Sequence, residues 1–97
     1  LVGPACASDE AGSKWLAEFM HLVASDPPDY IGVHYYGTDA DAAIKYLEAV
    51  HEKYPSKPLV VSEIASISRD KKEVYAFTAE VANWMDDRPW IFEYGFF

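Results

Sequence analysis

Two side chains able to take part in acid–base or covalent chemistry stand at the ends of short apolar runs. His34 follows Ile31-Gly32-Val33, and Glu63 follows Leu59-Val60-Val61-Ser62. A carboxylate in such a place must face a cavity, a partner or solvent, because an unpaired charge is costly to bury. One reading of Glu63 is a catalytic carboxylate, either a nucleophile or a proton donor. The plainer reading is a strand-end glutamate turned to water or paired with Lys57 or Arg69. His34, with Tyr35 and Tyr36 beside it, is read in the same two ways: a hydrogen-bonding site residue, or a core histidine satisfied by a backbone carbonyl. Residue type alone favours the plainer reading of each.

Other chemistries find less support. His21 and His51 lie on helical stretches far from His34, and neither HxH nor HExxH spacing occurs, so no metal ligand set is indicated. Cys6 is the only cysteine, which excludes an internal disulfide, a thiolate cluster and a redox CxxC pair. Ser8, Ser62 and Ser66 lack the GxSxG surroundings of a nucleophile elbow. No GxGxxG or GxxxxGK[ST] follows a strand, so nothing asks for a nucleotide cofactor.

Aromatic residues make up 15% of the chain, and Tyr35, Tyr36, Trp90, Phe92, Tyr94, Phe96 and Phe97 gather on two of the strand candidates. Strands favour aromatics in any case. At the open end of a sheet, a flat ring can also stack on the apolar face of a sugar while a tyrosine hydroxyl bonds its rim. Trp15, Phe19, Phe77 and Trp84 read instead as helix faces packed on the sheet.

The elements that must hold these groups alternate in texture. Strand candidates are Leu1 to Ala7, Tyr30 to Tyr36 closed by Gly37, Leu59 to Ile64, and Trp90 to Phe97. Between them, apolar residues recur at helical spacing. Trp15, Leu16, Phe19, Met20 and Val23 form one stripe, stopped by Asp26-Pro27-Pro28. Ala43, Ile44, Leu47, Val50 and Tyr54 form the next, with Thr38 and Asp41 as a capping box. Val74, Phe77, Val81 and Trp84 form the third, beginning at Ser68 or Asp70. The resulting order, a parallel βαβαβαβ of α/β class, implies right-handed crossovers. It suits either a small open sheet or part of an eight-fold βα barrel. In both, His34, Glu63 and Tyr94 fall toward the C-terminal strand ends where ligands bind.

Composition bounds the remaining possibilities. The 97 residues are 51% apolar, too hydrophobic for a disordered tail, and fit one domain at most. A chain this short buries only roughly 60–65% of its unfolded surface, so its stability alone should be marginal. Sixteen acidic against eight basic residues give a net charge of -8, which argues against nucleic acid and anionic membrane as partners. No apolar run approaches the ~20 residues of a membrane-spanning helix, and the residues from Leu1 onward begin mid-pattern, without the basic segment and cleavage site of a signal peptide.

Taken together, Trp15-Leu16, the run Asp29-Tyr30-Ile31-Gly32-Val33-His34-Tyr35-Tyr36-Gly37, the run Lys57-Pro58-Leu59-Val60-Val61-Ser62-Glu63 and the terminus Glu93-Tyr94-Gly95-Phe96-Phe97 resemble the C-terminal half of glycoside hydrolase family 128. That family comprises endo-β-1,3-glucanases related to the fungal alkali-sensitive-linkage protein. The resemblance implies that residues 1–97 are a partial catalytic domain, strands five to eight of a (β/α)8 TIM barrel. Glu63 would be the nucleophile ending the seventh strand, with Ser62-Glu63 in place of the usual Thr-Glu. His34, Tyr35 and Tyr36 would line the sugar subsite, Tyr35 replacing a Trp. Tyr94 would match a tyrosine of the eighth strand, and Phe96 would stand where Trp is common.

The same resemblance implies a β-glucan substrate, no cofactor, and an extracellular or cell-wall location. It also implies a missing acid/base, since the family's Asn-Glu dipeptide does not occur here and Glu93 is the nearest internal substitute. The expectation is therefore a retaining hydrolase that cleaves internal β-1,3 bonds when whole. The present chain would be inactive alone and prone to self-association through exposed half-barrel edges. A non-catalytic carbohydrate-binding half-barrel and a small open-sheet module with an unrelated ligand are the alternatives.

Overall fold

The computed structural model describes residues 1–97. Its elements are α1 (Glu10–Leu22), β1 (Ile31–Gly37), α2 (Ala40–Lys53), β2 (Leu59–Ser66), α3 (Lys71–Asp86) and β3 (Ile91–Phe96). The three strands form one parallel sheet in the order β1-β2-β3. The expected alternation holds, with one difference at its start. Leu1 to Ala7 contributes two isolated parallel bridges, Val2 to Tyr30 and Cys6 to Val33, and no continuous strand. The two bridges are out of register, since four residues separate Val2 from Cys6 and three separate Tyr30 from Val33, and the slip breaks the ladder between them.

Each helix starts on an aspartate. Asp9, Asp39 and Asp70 accept hydrogen bonds from backbone N–H groups of the first turn, satisfying donors that the helix itself cannot. The second cap is thus Asp39, and the expected Thr38–Asp41 box gives way to it. The helices pack on one side of the sheet. Leu47, Val81 and Met85 from the helices meet Ile31, Val33, Leu59, Val61 and Ile64 from the strands in a single core. The thinnest dimension, 19 Å, corresponds to this one layer of helix on one of sheet.

Trp15 departs from its expected place: it is 53% exposed and stacks along its own helix on Phe19, while Leu16 faces the core. Met85, absent from the anticipated stripe, is 1% exposed. At the N-terminal edge of β3, Trp90 stacks on His51 of α2 with ring centroids 4.1 Å apart, and Trp84 of α3 meets it edge-on. Those contacts tie the last strand to two helices.

Candidate functional site at the C-terminal end of the sheet

A strand with regular alternation would send Leu59, Val61 and Glu63 to the same face. Leu59 and Val61 are fully buried against the helices, so a regular β2 would drive the Glu63 carboxylate into the core. Pairing avoids this. Val33 partners Val61 and the next residue of β1, His34, partners Glu63, so β2 spends one extra residue, Ser62. A β-bulge of this kind re-aims the side chains that follow it. Beyond it Ile64 returns to the core, and both Ser62 and Glu63 are left on the face that the helices do not cover.

On that face three groups from two strands converge. The Tyr36 hydroxyl donates to Glu63 Oε1. His34 Nε2 lies 3.7 Å from Glu63 Oε2, and the two side chains are 32% and 34% exposed. Glu63 is therefore paired with β1, and neither Lys57 nor Arg69 forms an ion pair with it. The bond to the carboxylate holds the Tyr36 phenol above its usual pKa, with desolvation and the negative charge of Glu63 adding to the effect.

Rings from the outer strands close over the central one at both ends. Tyr30 and Phe92 meet with centroids 4.6 Å apart near the N-terminal edge, and Tyr36 and Phe97 meet edge-on at 6.5 Å near the C-terminal edge. His34, Ser62 and Glu63 lie between these two aromatic pairs.

Three of the expected site residues go elsewhere. Tyr35 alternates with His34 and Tyr36, so its ring turns to the helix layer and packs on Tyr46 at 5.7 Å. Tyr94 partners Val61, faces the helices and donates its hydroxyl to Asp86 Oδ1 of α3 at 2.7 Å. Phe96 shares that face and meets Tyr94 edge-on. The cause is a second irregularity: between Leu59 and Val60 on β2, the ladder moves from Ile91 to Glu93, leaving Phe92 as an extra residue on β3. That extra residue reverses the face of everything beyond it. Phe97, absent from the expected site, takes the place beside Tyr36. Counting alternation back from a helix-facing Tyr94 would have found it.

The only other acid on the three strands, Glu93, aligns with Val60. It lies three residues before Glu63, roughly 10 Å lower along the strand at ~3.3 Å per residue. No three His, Cys, Asp or Glu side chains come together as a metal site. The site is thus a carboxylate hydrogen-bonded to a phenol, with an imidazole 3.7 Å away, on the open face of a parallel βα sheet. Such a carboxylate can attack an electrophilic carbon or accept a proton.

A parallel βα sheet with a hydrogen-bonded carboxylate at its C-terminal end is the arrangement of βα-barrel hydrolases. The chain belongs to the glycosyl hydrolase catalytic core family, whose model matches residues 1–97. Within that class it matches part of a glycoside hydrolase family 128 barrel. It is 52% identical to the family 128 subgroup VI exo-β-1,3-glucanase of Aureobasidium namibiae, with a TM-score of 0.98, covering 100% of this chain and 39% of that one. It is 29% identical to the subgroup IV endo-β-1,3-glucanase of Lentinula edodes, with a TM-score of 0.90, covering 99% of this chain and 39% of that one. The curdlan-specific subgroup III exo-β-1,3-glucanase of Blastomyces gilchristii, at 24% identity and a TM-score of 0.88 over 100% of this chain and 45% of that one, shares the fold. The chain thus spans less than half the length of each. No curated protein sequence matches it.

Proposed function

We propose that the polypeptide carrying this chain hydrolyses β-1,3-glucosidic bonds by double displacement, with Glu63 as the nucleophile. The observation that carries this reading is the convergence of Tyr36 and His34 on the two oxygens of one carboxylate. The Tyr36 bond holds one oxygen and so orients the carboxylate, while His34 stands 3.7 Å from the other. The Glu63 oxygen would bond to the anomeric carbon as the glycosidic C–O bond breaks, the leaving oxygen taking a proton from a second carboxyl group. Water, giving a proton back to that second carboxylate, would then bond to the same carbon as the bond to Glu63 breaks, so that configuration is retained and both carboxyl groups are restored. Retention requires the second carboxyl ~5–5.5 Å from the first. Glu93 is too far down the strand, so the proton donor is assigned outside these 97 residues, as a partial domain requires.

The relative at 52% identity is described as an exo-enzyme. The expectation of attack at internal bonds is therefore not carried into this reading. A polymeric glucan does not cross membranes, so the reading places the protein outside the cell or in its wall. No helix is long and apolar enough to cross a membrane.

The test is Glu63→Gln in the polypeptide that carries the chain, assayed on laminari-oligosaccharides. Turnover should fall by several orders of magnitude with folding unchanged. Turnover surviving within a few-fold would remove Glu63 from the role. A second reading, glucan binding without hydrolysis, is favoured for the 97 residues alone by the position of Glu93. Retention on insoluble β-1,3-glucan without release of reducing sugar would support it.

A further inference from the structure

The first helix is thinly anchored: of the 13 residues of α1, only Gly12 and Leu16 are buried. Between it and α2, on the side of the sheet away from Glu63, lies a cavity of about 130 Å³. Gly12 and Leu16 of α1, Tyr46 and Ala49 of α2, Tyr54 at the end of α2 and Cys6 of the first segment line it. Both helices belong to this chain, so the cavity is not an edge left by the partial barrel.

Its lining is mostly apolar, yet one polar group is stranded there. The Tyr54 hydroxyl is shut off from solvent and has no hydrogen-bond partner, whereas the hydroxyls of Tyr36 and Tyr94 are each bonded to a carboxylate. Buried polar groups are nearly always paired, because leaving one unpaired is costly. The Cys6 thiol does not relieve it, since it donates to the Pro4 carbonyl oxygen. Burial raises the Tyr46 and Tyr54 phenols, and the nearby Cys6 adds to both shifts, which places the three groups around one space.

Size decides between occupants. A single water would pair the hydroxyl and leave most of the volume empty, for a water's share of the liquid is only about 30 Å³. An apolar cavity of ~150 Å³ takes a molecule the size of benzene. Ser13 and Ala49, exposed at the rim, leave an entrance.

We infer that the cavity between α1 and α2 binds a small uncharged amphipathic molecule, one six-membered ring carrying a hydroxyl, with the ring against the apolar walls and the hydroxyl bonded to Tyr54. This site is separate from Glu63 and does not depend on the proposed hydrolysis.

The experiment is calorimetric titration of phenol into the polypeptide that carries the chain, with toluene as a molecule of the same shape lacking the hydroxyl. Phenol should bind saturably, and Tyr54→Phe should weaken it roughly 3- to 10-fold, the scale of one neutral hydrogen bond, while toluene changes less than about twofold. Ala49→Leu, a change that an exposed helical position tolerates, should abolish binding of both by filling the cavity. Saturating laminaritriose should leave phenol binding unchanged. Absence of saturable phenol binding, as in a cavity that holds only water, would overturn the assignment. So would equal phenol affinity in Tyr54→Phe, binding that survives Ala49→Leu, or competition by laminaritriose, which would put phenol on the glucan face instead.

Discussion

Tyr36 and Glu63, 27 residues apart in sequence and on neighbouring strands, are joined by a hydrogen bond from phenol to carboxylate. This pairing depends on the Ser62 bulge, which brings Glu63 level with His34 and leaves its carboxylate within reach of a ring two residues further along β1. If the bond orients the nucleophile, removing it alone should slow catalysis and leave the fold intact. Tyr36→Phe is expected to lower kcat about 10- to 100-fold with a smaller change in KM, measured by steady-state kinetics on laminari-oligosaccharides.

The same bond sets a pH dependence. The folded-state pKa of Tyr36 is raised, chiefly by the hydrogen bond to Glu63. Its stabilising effect is therefore fully present below the ordinary tyrosine value and is lost as pH climbs through the raised one. Five of the seven tyrosines, Tyr35, Tyr36, Tyr46, Tyr54 and Tyr94, are held above the ordinary value, so ultraviolet titration should show them ionising later in the native chain than in the unfolded one, and Tyr36→Phe should remove one of the five. Tyr94 is among them chiefly through its bond to Asp86, and Tyr35, Tyr46 and Tyr54 chiefly through burial.

Tyr94 is assigned here to the fold, since its hydroxyl bonds Asp86 on the helix side of the sheet. Tyr94→Phe should therefore reduce stability by about 0.5–1.5 kcal/mol in denaturant melts while leaving laminari-oligosaccharide kinetics within about twofold. A large kinetic loss with unchanged stability would return Tyr94 to the site.

Gly12 tests the packing of α1. A Cβ there would lie 2.0 Å from the Ala7 carbonyl oxygen and 2.8 Å from its carbonyl carbon, both backbone atoms that cannot swing aside. Alanine in a helix interior normally gains about 1 kcal/mol over glycine. Here the clash should exceed that gain, so Gly12→Ala is expected to destabilise by about 1–3 kcal/mol, read from the shift in unfolding midpoint.

Leu47, fully buried where α2 meets the sheet, measures the core itself. Leu47→Ala should cost about 2–5 kcal/mol, a large fraction of the stability of a domain this small, and be seen as loss of the cooperative transition.

The helices were legible because their signals are local. Stripes such as Ala43, Leu47 and Val50 follow from helical spacing, whereas the cap of that helix, Asp39, falls one residue beyond the expected Thr38. The apolar runs that end in His34 and Glu63 likewise marked two parallel strands and the edge of the sheet where chemistry gathers. The first run, Leu1 to Ala7, met only half its pattern, because its two bridges to β1 differ in register by one residue, which hydrophobicity does not reveal.

By itself the sequence determined the alternation of helices and strands after the first segment, the buried faces of the helices apart from Trp15 and Met85, and the presence of a carboxylate, an imidazole and several rings near one end of the sheet. Tertiary structure decided which of those groups share a face. Side-chain direction along a strand has a period of two, so one surplus residue reverses all that follows. Ser62 is surplus on β2 and turns Glu63 toward His34 and Tyr36; Phe92 is surplus on β3 and turns Tyr94 and Phe96 away, leaving Phe97 beside Tyr36. A bulge is a property of how two strands pair across the sheet, so neither strand's own residues announce it.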